Sequence, residues 1–257
     1  MARKSDLIAV IDSGVGGISV LRELVKQMPN ERFLYYGDSA NAPYGSKSTE
    51  LVRELTEKTV QMLLRRGIKA LVVACNTATA AAIDILRETY PEMIIVGIEP
   101  ALKPAVQAFP DGCVGLMATE VTLREDKLKK LIARYPHKAL ERIPAPGLVE
   151  LVEAGKADSP EMDSFLQQLL APYIGKLDAL VLGCTHYPFA AASLRRVLGE
   201  KTVLFDGGAG TAGQTRRRLE QAGLLYDGPG QVILENSSND KRILSLCEHL
   251  LTEVNYG

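Results

Sequence analysis

Two cysteines stand in matched surroundings. Ala70-Leu71-Val72-Val73-Ala74-Cys75-Asn76-Thr77 parallels Ala179-Leu180-Val181-Leu182-Gly183-Cys184-Thr185-His186: a short apolar run, a cysteine, polar residues, then a helical stretch. A thiol is a strong base or nucleophile only as thiolate. The start of a helix, with its partial positive charge and unpartnered N–H groups, favours that form. Cys75 and Cys184 are therefore expected to do chemistry, with thiol pKa values below the ordinary value of about 8.5. The other two cysteines differ. Cys247 shares a helical face with Ile243, Leu250 and Leu251 and reads as core, and Cys113 opens a strand after Asp111-Gly112 with no catalytic neighbours. His186, two residues past Cys184, could tune that thiol or relay its proton. Two cysteines and a histidine could also bind zinc, but such ligands usually come in tighter clusters and no fourth is obvious. His137 and His249 sit in polar helical contexts and read as surface residues.

A second constellation follows the first apolar run: Asp12-Ser13-Gly14-Val15-Gly16-Gly17. Its glycines let backbone N–H groups approach an anion closely. The dinucleotide fingerprint G-x-G-x-x-G fails at Ser19, and no phosphate-loop motif ending in Gly-Lys-Ser/Thr is present. The loop suits a small anion such as a carboxylate, or is simply a tight turn. Asp12 at a buried strand end is a costly carboxylate unless it binds or tunes something. The polar loop Gly37 to Ser48 contains Pro43-Tyr44-Gly45 and has the character of a site-lining segment. Asn76, Thr77, Thr79, Thr119, Thr122 and Thr185 place amides and hydroxyls at helix starts, where they can cap, bind a ligand, or both.

The elements that must position these groups alternate along the chain. Strands are expected at Leu7 to Ile11, Arg32 to Tyr36, Ala70 to Val73, Ile94 to Gly97, Val114 to Met117, Ala179 to Leu182 and Thr202 to Phe205. They are mostly apolar on both faces, as parallel strands under helices are. Helices are expected at Ile18 to Gln27, Ser48 to Arg66, Thr79 to Tyr90, Leu123 to Tyr135, Ser159 to Ile174, Phe189 to Leu198, Ala212 to Ala222 and Asp240 to Glu253. The alternation indicates an α/β fold with parallel sheets. A looser likeness between Ile8 to Leu21 and Val114 to Leu128 joins the cysteine pair in suggesting two similar halves, each presenting a cysteine at a strand's carboxyl end.

Bulk composition narrows the function. The chain has 257 residues, 46% hydrophobic and 24% charged, with Lys+Arg 30 against Asp+Glu 31 and net charge -1. Nothing there favours nucleic acid or an anionic membrane. Arg216-Arg217-Arg218 reads as a solvated helix start. No apolar run reaches the roughly 18 residues of a membrane span, and the polar first residues do not form a signal peptide. A cytoplasmic protein with free thiols is expected.

Taken together, the motifs at Asp12–Gly17, Pro43–Gly45, Cys75–Thr77 and Gly183-Cys184-Thr185-His186-Tyr187-Pro188 resemble those of glutamate racemases, in order and spacing over nearly the whole chain. The resemblance lies within the wider aspartate/glutamate racemase family. It implies two similar α/β domains with parallel sheets, related by pseudo-twofold symmetry, with the active site in the cleft between them. Residues 1–97 plus 207–257 would form the first, and 98–206 the second. It implies cofactor-independent proton transfer, without pyridoxal phosphate or metal, between two cysteines on opposite faces of glutamate. Cys184 would deprotonate the L form and Cys75 the D form. Asp12 would assist Cys75, and His186 would assist Cys184. Glu153 would be the family's assisting carboxylate, with Glu150 as rival. Ser13, Pro43, Tyr44, Gly45, Asn76, Thr77, Thr119, Thr122 and Thr185 would bind substrate together with Asp12, His186 and the two cysteines. Supply of D-glutamate for peptidoglycan and a homodimer are further implications. The chain departs from the family's commoner pattern at Glu125, often Ser, and at Asp206-Gly207-Gly208, often Asp-Ser-Gly. Two alternatives stay open: an aspartate or broad-specificity racemase, and a non-enzymatic anion-binding regulator on the same scaffold.

Overall fold

A computed structural model of the chain describes residues 2–238 and 240–252. The chain begins with β1 (Leu7–Asp12), α1 (Ile18–Gln27), β2 (Arg32–Gly37), α2 (Thr49–Leu64), β3 (Ile68–Val73), α3 (Asn76–Thr89) and β4 (Ile94–Gly97). It continues through α4 (Leu102–Ala108), β5 (Val114–Ala118), α5 (Glu120–Arg124), α6 (Asp126–Arg134), β6 (Leu140–Pro144), α7 (Leu148–Glu153), α8 (Pro160–Leu170), β7 (Ala179–Leu182), α9 (Ala191–Leu198) and β8 (Val203–Asp206). It then returns to the first half as α10 (Gly208–Gln221), β9 (Gln231–Asn236) and α11 (Lys241–Thr252).

Every strand pair is parallel. One sheet has the order β4-β3-β1-β2-β9 and the other β6-β5-β7-β8. Read from its other edge, the second sheet runs β8-β7-β5-β6. The strands β1 to β4 thus correspond one for one to β5 to β8, with β9 an added edge. The internal repeat is therefore topological, and Cys75 after β3 is the counterpart of Cys184 after β7. Both strands are buried along their whole length, which suits their Val, Leu and Ala content. One apolar cluster runs from Ile8, Val10 and Val72 in the first half to Leu180, Leu182 and Phe189 in the second, so the halves share a core across their boundary. The outer faces of the two sheets pack separately.

Several boundaries differ from the periodicity. The expected helix from Leu123 to Tyr135 is two helices, broken where Glu125 is extended at φ -66°, ψ 140°. Its carboxylate receives the Thr49 hydroxyl from the first half. The helix expected from Thr79 begins at Asn76, because Cys75 itself caps it. The helix expected from Phe189 is a 3-10 turn at Tyr187–Ala190 followed by α9, so Cys184 does not directly cap an α-helix. Residues Arg216 to Arg218 are exposed in the second half of α10, which starts at Gly208, rather than at a helix start. The last expected helix ended at Glu253, outside the described residues; α11 is described to Thr252. Strands β6 and β9 and helices α4 and α7 were not anticipated. Among the described residues no helix is long and apolar enough to cross a membrane.

At the end of the first sheet away from the cysteines, Lys69 and Glu31 form an ion pair with side chains 0% and 1% exposed. Lys69 Nζ donates to Glu31 Oε2 at 2.6 Å and to the Leu224 carbonyl at 3.0 Å, and Glu31 Oε1 accepts from the Tyr226 N–H at 2.9 Å. The pair thereby ties β3 to the returning segment. Lys69→Met should cost about 3–5 kcal/mol in urea unfolding, because it strands a buried carboxylate. A loss below about 1 kcal/mol would show that water reaches Glu31.

Candidate active site

The strand carboxyl ends of both sheets meet at one place. Asp12 ends β1, Cys75 follows β3, Thr119 follows β5 and Cys184 follows β7. Cys75 and Cys184 are 5% and 8% exposed. Cys75 Sγ accepts from the Ala78 N–H at 3.4 Å and donates to Ser13 Oγ at 3.7 Å. Cys184 Sγ lies 3.7 Å from His186 Nδ1, while His186 Nε2 lies 2.7 Å from Glu153 Oε1. That same oxygen accepts from the Val15 N–H at 2.9 Å. Glu153 is the last residue of α7 and makes this contact. Glu150, one turn earlier, instead lines a cavity of about 260 Å³ with Pro43, Gly45, Thr119 and Val149.

The first-half glycine loop reaches across to the second half. Asp12 Oδ1 accepts from Thr185 Oγ1 at 3.0 Å, and Oδ2 accepts from the Gly14 N–H at 3.0 Å. Asp12 thus touches the Cys184 loop directly and acts on Cys75 through space. Thr77, Thr119 and Thr122 form a triangle of hydroxyls with oxygen separations of 3.2, 3.2 and 2.9 Å, one corner from the first half and two from the second. Pro43-Tyr44-Gly45 lies against this triangle; a Cβ on Gly45 would come within 2.8 Å of Thr119. Tyr44 donates to Asp38 Oδ2 at 2.6 Å. Both polar atoms of the buried Asn76 amide lack a hydrogen-bond partner among the described residues. A buried amide left so is costly unless a ligand completes it.

The electrostatics separate the two thiols' surroundings. Burial pushes the Cys75 thiol up to about 12, and the Asp12 charge adds to it. The Ala78 N–H and Ser13 pull the other way without prevailing. The thiolate expected from the helix start is therefore not what the resting site favours at Cys75; desolvation outweighs the helix terminus. Burial is also the largest influence on His186 and opposes its charge, yet hydrogen bonds with Cys184 and Glu153 carry the imidazole well above its ordinary range. Glu153 is pushed up by burial but held below the usual carboxylate range by His186 and the Val15 N–H. Burial raises Asp12, against the opposing charge of His186. The Cys184 side thus holds an imidazolium–carboxylate pair, and the Cys75 side a protonated thiol. In Cys184→Ser protein, alkylation of Cys75 by iodoacetamide should still be accelerating as pH rises past the ordinary cysteine range, since thiolate forms only above it. A plateau near neutral pH by mass spectrometry would contradict the desolvated thiol.

The zinc set is not assembled: Cys75 pairs with Ser13, and Cys184 and Glu153 lie at opposite nitrogens of one imidazole ring. Among the described residues, no three His, Cys, Asp or Glu side chains could hold one metal ion. His249 is exposed, and His137 is partly buried against the Gly112 carbonyl at 2.7 Å. Cys247 is fully buried in core and Cys113 is half-buried. Sequence reasoning did not single out Asp38, although it follows β2 at a strand end as Asp12 ends β1. Nor does it assign the Tyr35 hydroxyl, which donates to the Gly14 carbonyl, or the Ser19 hydroxyl, which reaches the Thr185 carbonyl of the second half.

Two sheets of corresponding strand order thus bring paired thiols to their strand ends. The chain belongs to the Asp/Glu/hydantoin racemase family, whose model matches residues 8–215. Within it, the chain is 48% identical over 255 residues to the glutamate racemase of Clostridium acetobutylicum, covering 98% of this chain and 99% of that one. It is similar to the structure of Thermus thermophilus glutamate racemase in complex with β-chloro-D-alanine, with a TM-score of 0.82 and 36% identity over 98% of this chain and 96% of that one. Escherichia coli glutamate racemase, solved in complex with L-glutamate, matches with a TM-score of 0.84 and 31% identity over 95% of each chain.

Proposed function

We propose that this chain interconverts L- and D-glutamate by moving the α-proton between Cys75 and Cys184, without a cofactor. The observation that carries it is the pair of thiols at equivalent strand ends of two corresponding sheets, each with its own polar partners. A single base on one face tends to return the proton where it came from; a base on one face and an acid on the other invert the centre directly. One sulfur begins as thiolate and takes the proton, the other begins as thiol and gives one, and their states exchange with each turnover. Asn76, Thr77, Thr119, Thr122, Thr185, Ser13 and the Pro43–Gly45 segment fix the substrate's carboxylates and ammonium, and their donors stabilise the charge that develops at the α-carbon. His186 with Glu153 serves Cys184, and Asp12 serves Cys75 through space.

The functional units are residues 1–97 with 207–257 and residues 98–206, closing on substrate to exclude water. The role is provision of D-glutamate for peptidoglycan in the cytoplasm, by a homodimer that light scattering would detect. Protein dialysed with chelator and reductant, and free of pyridoxal phosphate, should convert L-glutamate to D-glutamate by circular dichroism. L-aspartate should be turned over far more slowly. Faster turnover of aspartate, or activity restored only by pyridoxal phosphate or zinc, would overturn the assignment. Failure to exchange the α-hydrogen of either glutamate enantiomer in heavy water would leave an anion-binding protein.

A further inference from the structure

We infer that Tyr35, in the middle of β2, is a positioning residue for the Cys184 half of the site, acting through the Gly14–Val15 peptide and Glu153. The inference rests on the two-thiol proton transfer proposed above. Tyr35 is 0% exposed, so its hydroxyl is costly unless partnered. The partner is the Gly14 carbonyl, at 2.6 Å. That carbonyl and the Val15 N–H belong to one planar peptide, so fixing the oxygen fixes the direction of the N–H. The N–H donates to Glu153 Oε1 at 2.9 Å, the same oxygen that lies 2.7 Å from His186 Nε2.

Glu153 needs this support. It ends the six-residue helix α7, and its side chain is 20% exposed, so packing alone does not hold it. The loop is also braced from beneath: a Cβ on Gly37 would fall 2.5 Å from the Gly14 carbonyl oxygen, and one on Gly14 would fall 1.9 Å from Glu153 Oε1. The first half therefore aims the carboxylate that orients the second half's histidine. The ionisable groups that face His186 are Cys184 beside Nδ1, Glu153 at Nε2 and Asp12 through space. A phenylalanine at position 35 would fill the same core volume while freeing the peptide.

The test compares Tyr35→Phe with the parent protein. Thermal melting establishes that both are folded. Glutamate turnover should fall roughly tenfold, the scale expected when one buried hydrogen bond is lost. With three histidines in the chain, ring resonances can be assigned and followed by NMR in substrate-free protein. The His186 titration should move to lower pH in Tyr35→Phe, since a loosened Glu153 stabilises the imidazolium less. Glu153→Gln, which leaves the Tyr35 packing untouched, should move the His186 titration the same way and at least as far. In the Glu153→Gln background, adding Tyr35→Phe should cost less than about twofold in turnover, because linked residues are not additive. An unmoved His186 titration in either variant overturns the relay. So does an equal fractional loss of turnover in both backgrounds. Absence of glutamate turnover in the parent protein would instead count against the two-thiol reaction, while the NMR titration would still decide the relay.

Discussion

Cys75→Ser and Cys184→Ser should each lower glutamate racemisation by about 10²–10⁴-fold, the span attributed to a positioned acid or base. Serine keeps the size and the hydrogen bonds of the thiol, so the fold should persist. Its hydroxyl is far less acidic, so it can neither act as base near neutral pH nor pass a proton readily. The two directions of racemisation cannot reveal which thiol serves which enantiomer. The enantiomers are equal in free energy, so kcat/KM must fall equally in both directions. Elimination resolves them, because it needs only one proton removal. With a glutamate analogue carrying chlorine on the β-carbon, the base takes the α-proton, chloride leaves, and the resulting enamine hydrolyses to a 2-oxo acid and ammonium. Cys75→Ser should retain elimination from the L analogue and Cys184→Ser from the D analogue. The reverse pattern would exchange the roles of the two cysteines. Near-normal racemisation by either variant would end the two-base mechanism.

Gly16→Ala should be nearly as damaging, and for a reason absent from any local rule. A Cβ there would lie 2.3 Å from His186 Nδ1 and 2.5 Å from Thr185 Oγ1. Neither group can withdraw: His186 is 2% exposed and held between Cys184 and Glu153, and Thr185 is 2% exposed and bonded to Asp12. The added methyl must push the imidazole off the sulfur or open the boundary between the halves. We expect kcat/KM to fall about 10²-fold or more through the misplaced histidine. Stability should fall by about 1–3 kcal/mol, as in other overpacked cores. Gly210→Ala is the matched control. It sits within α10 with nothing within 4 Å of its added Cβ, and it should be neutral or stabilising. Wild-type turnover in Gly16→Ala would mean the loop does not approach His186 as closely as the geometry requires.

The sequence by itself determined the parts that depend on neighbours along the chain. The mostly apolar runs of β1, β3, β5 and β7 are legible because a parallel strand buried on both faces favours apolar residues on both; the buried Lys69 of β3 is tolerated through its pair with Glu31. The cysteine closing the β3 run and the one closing the β7 run are legible for the same reason: a polar, reactive group right after such a run sits at a strand end. The repeat of those two units foretold two corresponding sheets. What the sequence left out is what packing at a distance decides. Strand β6, Leu-Glu-Arg-Ile-Pro, is an edge with only Ile143 buried, so it shows no apolar run to read. Strand β9 is another edge, placed against β2 by a chain return of nearly two hundred residues. The Val15 to Glu153 bond spans 138 residues and the His186 to Glu153 pair 33, so neither Glu153's preference over Glu150 nor Tyr35's reach to the site follows from spacing. The Cys75 thiol marks the limit most plainly. A helix start argues for thiolate, a local effect that sequence exposes. The burial that holds it protonated instead is the sum of everything packed around it, and only the tertiary structure carries that sum.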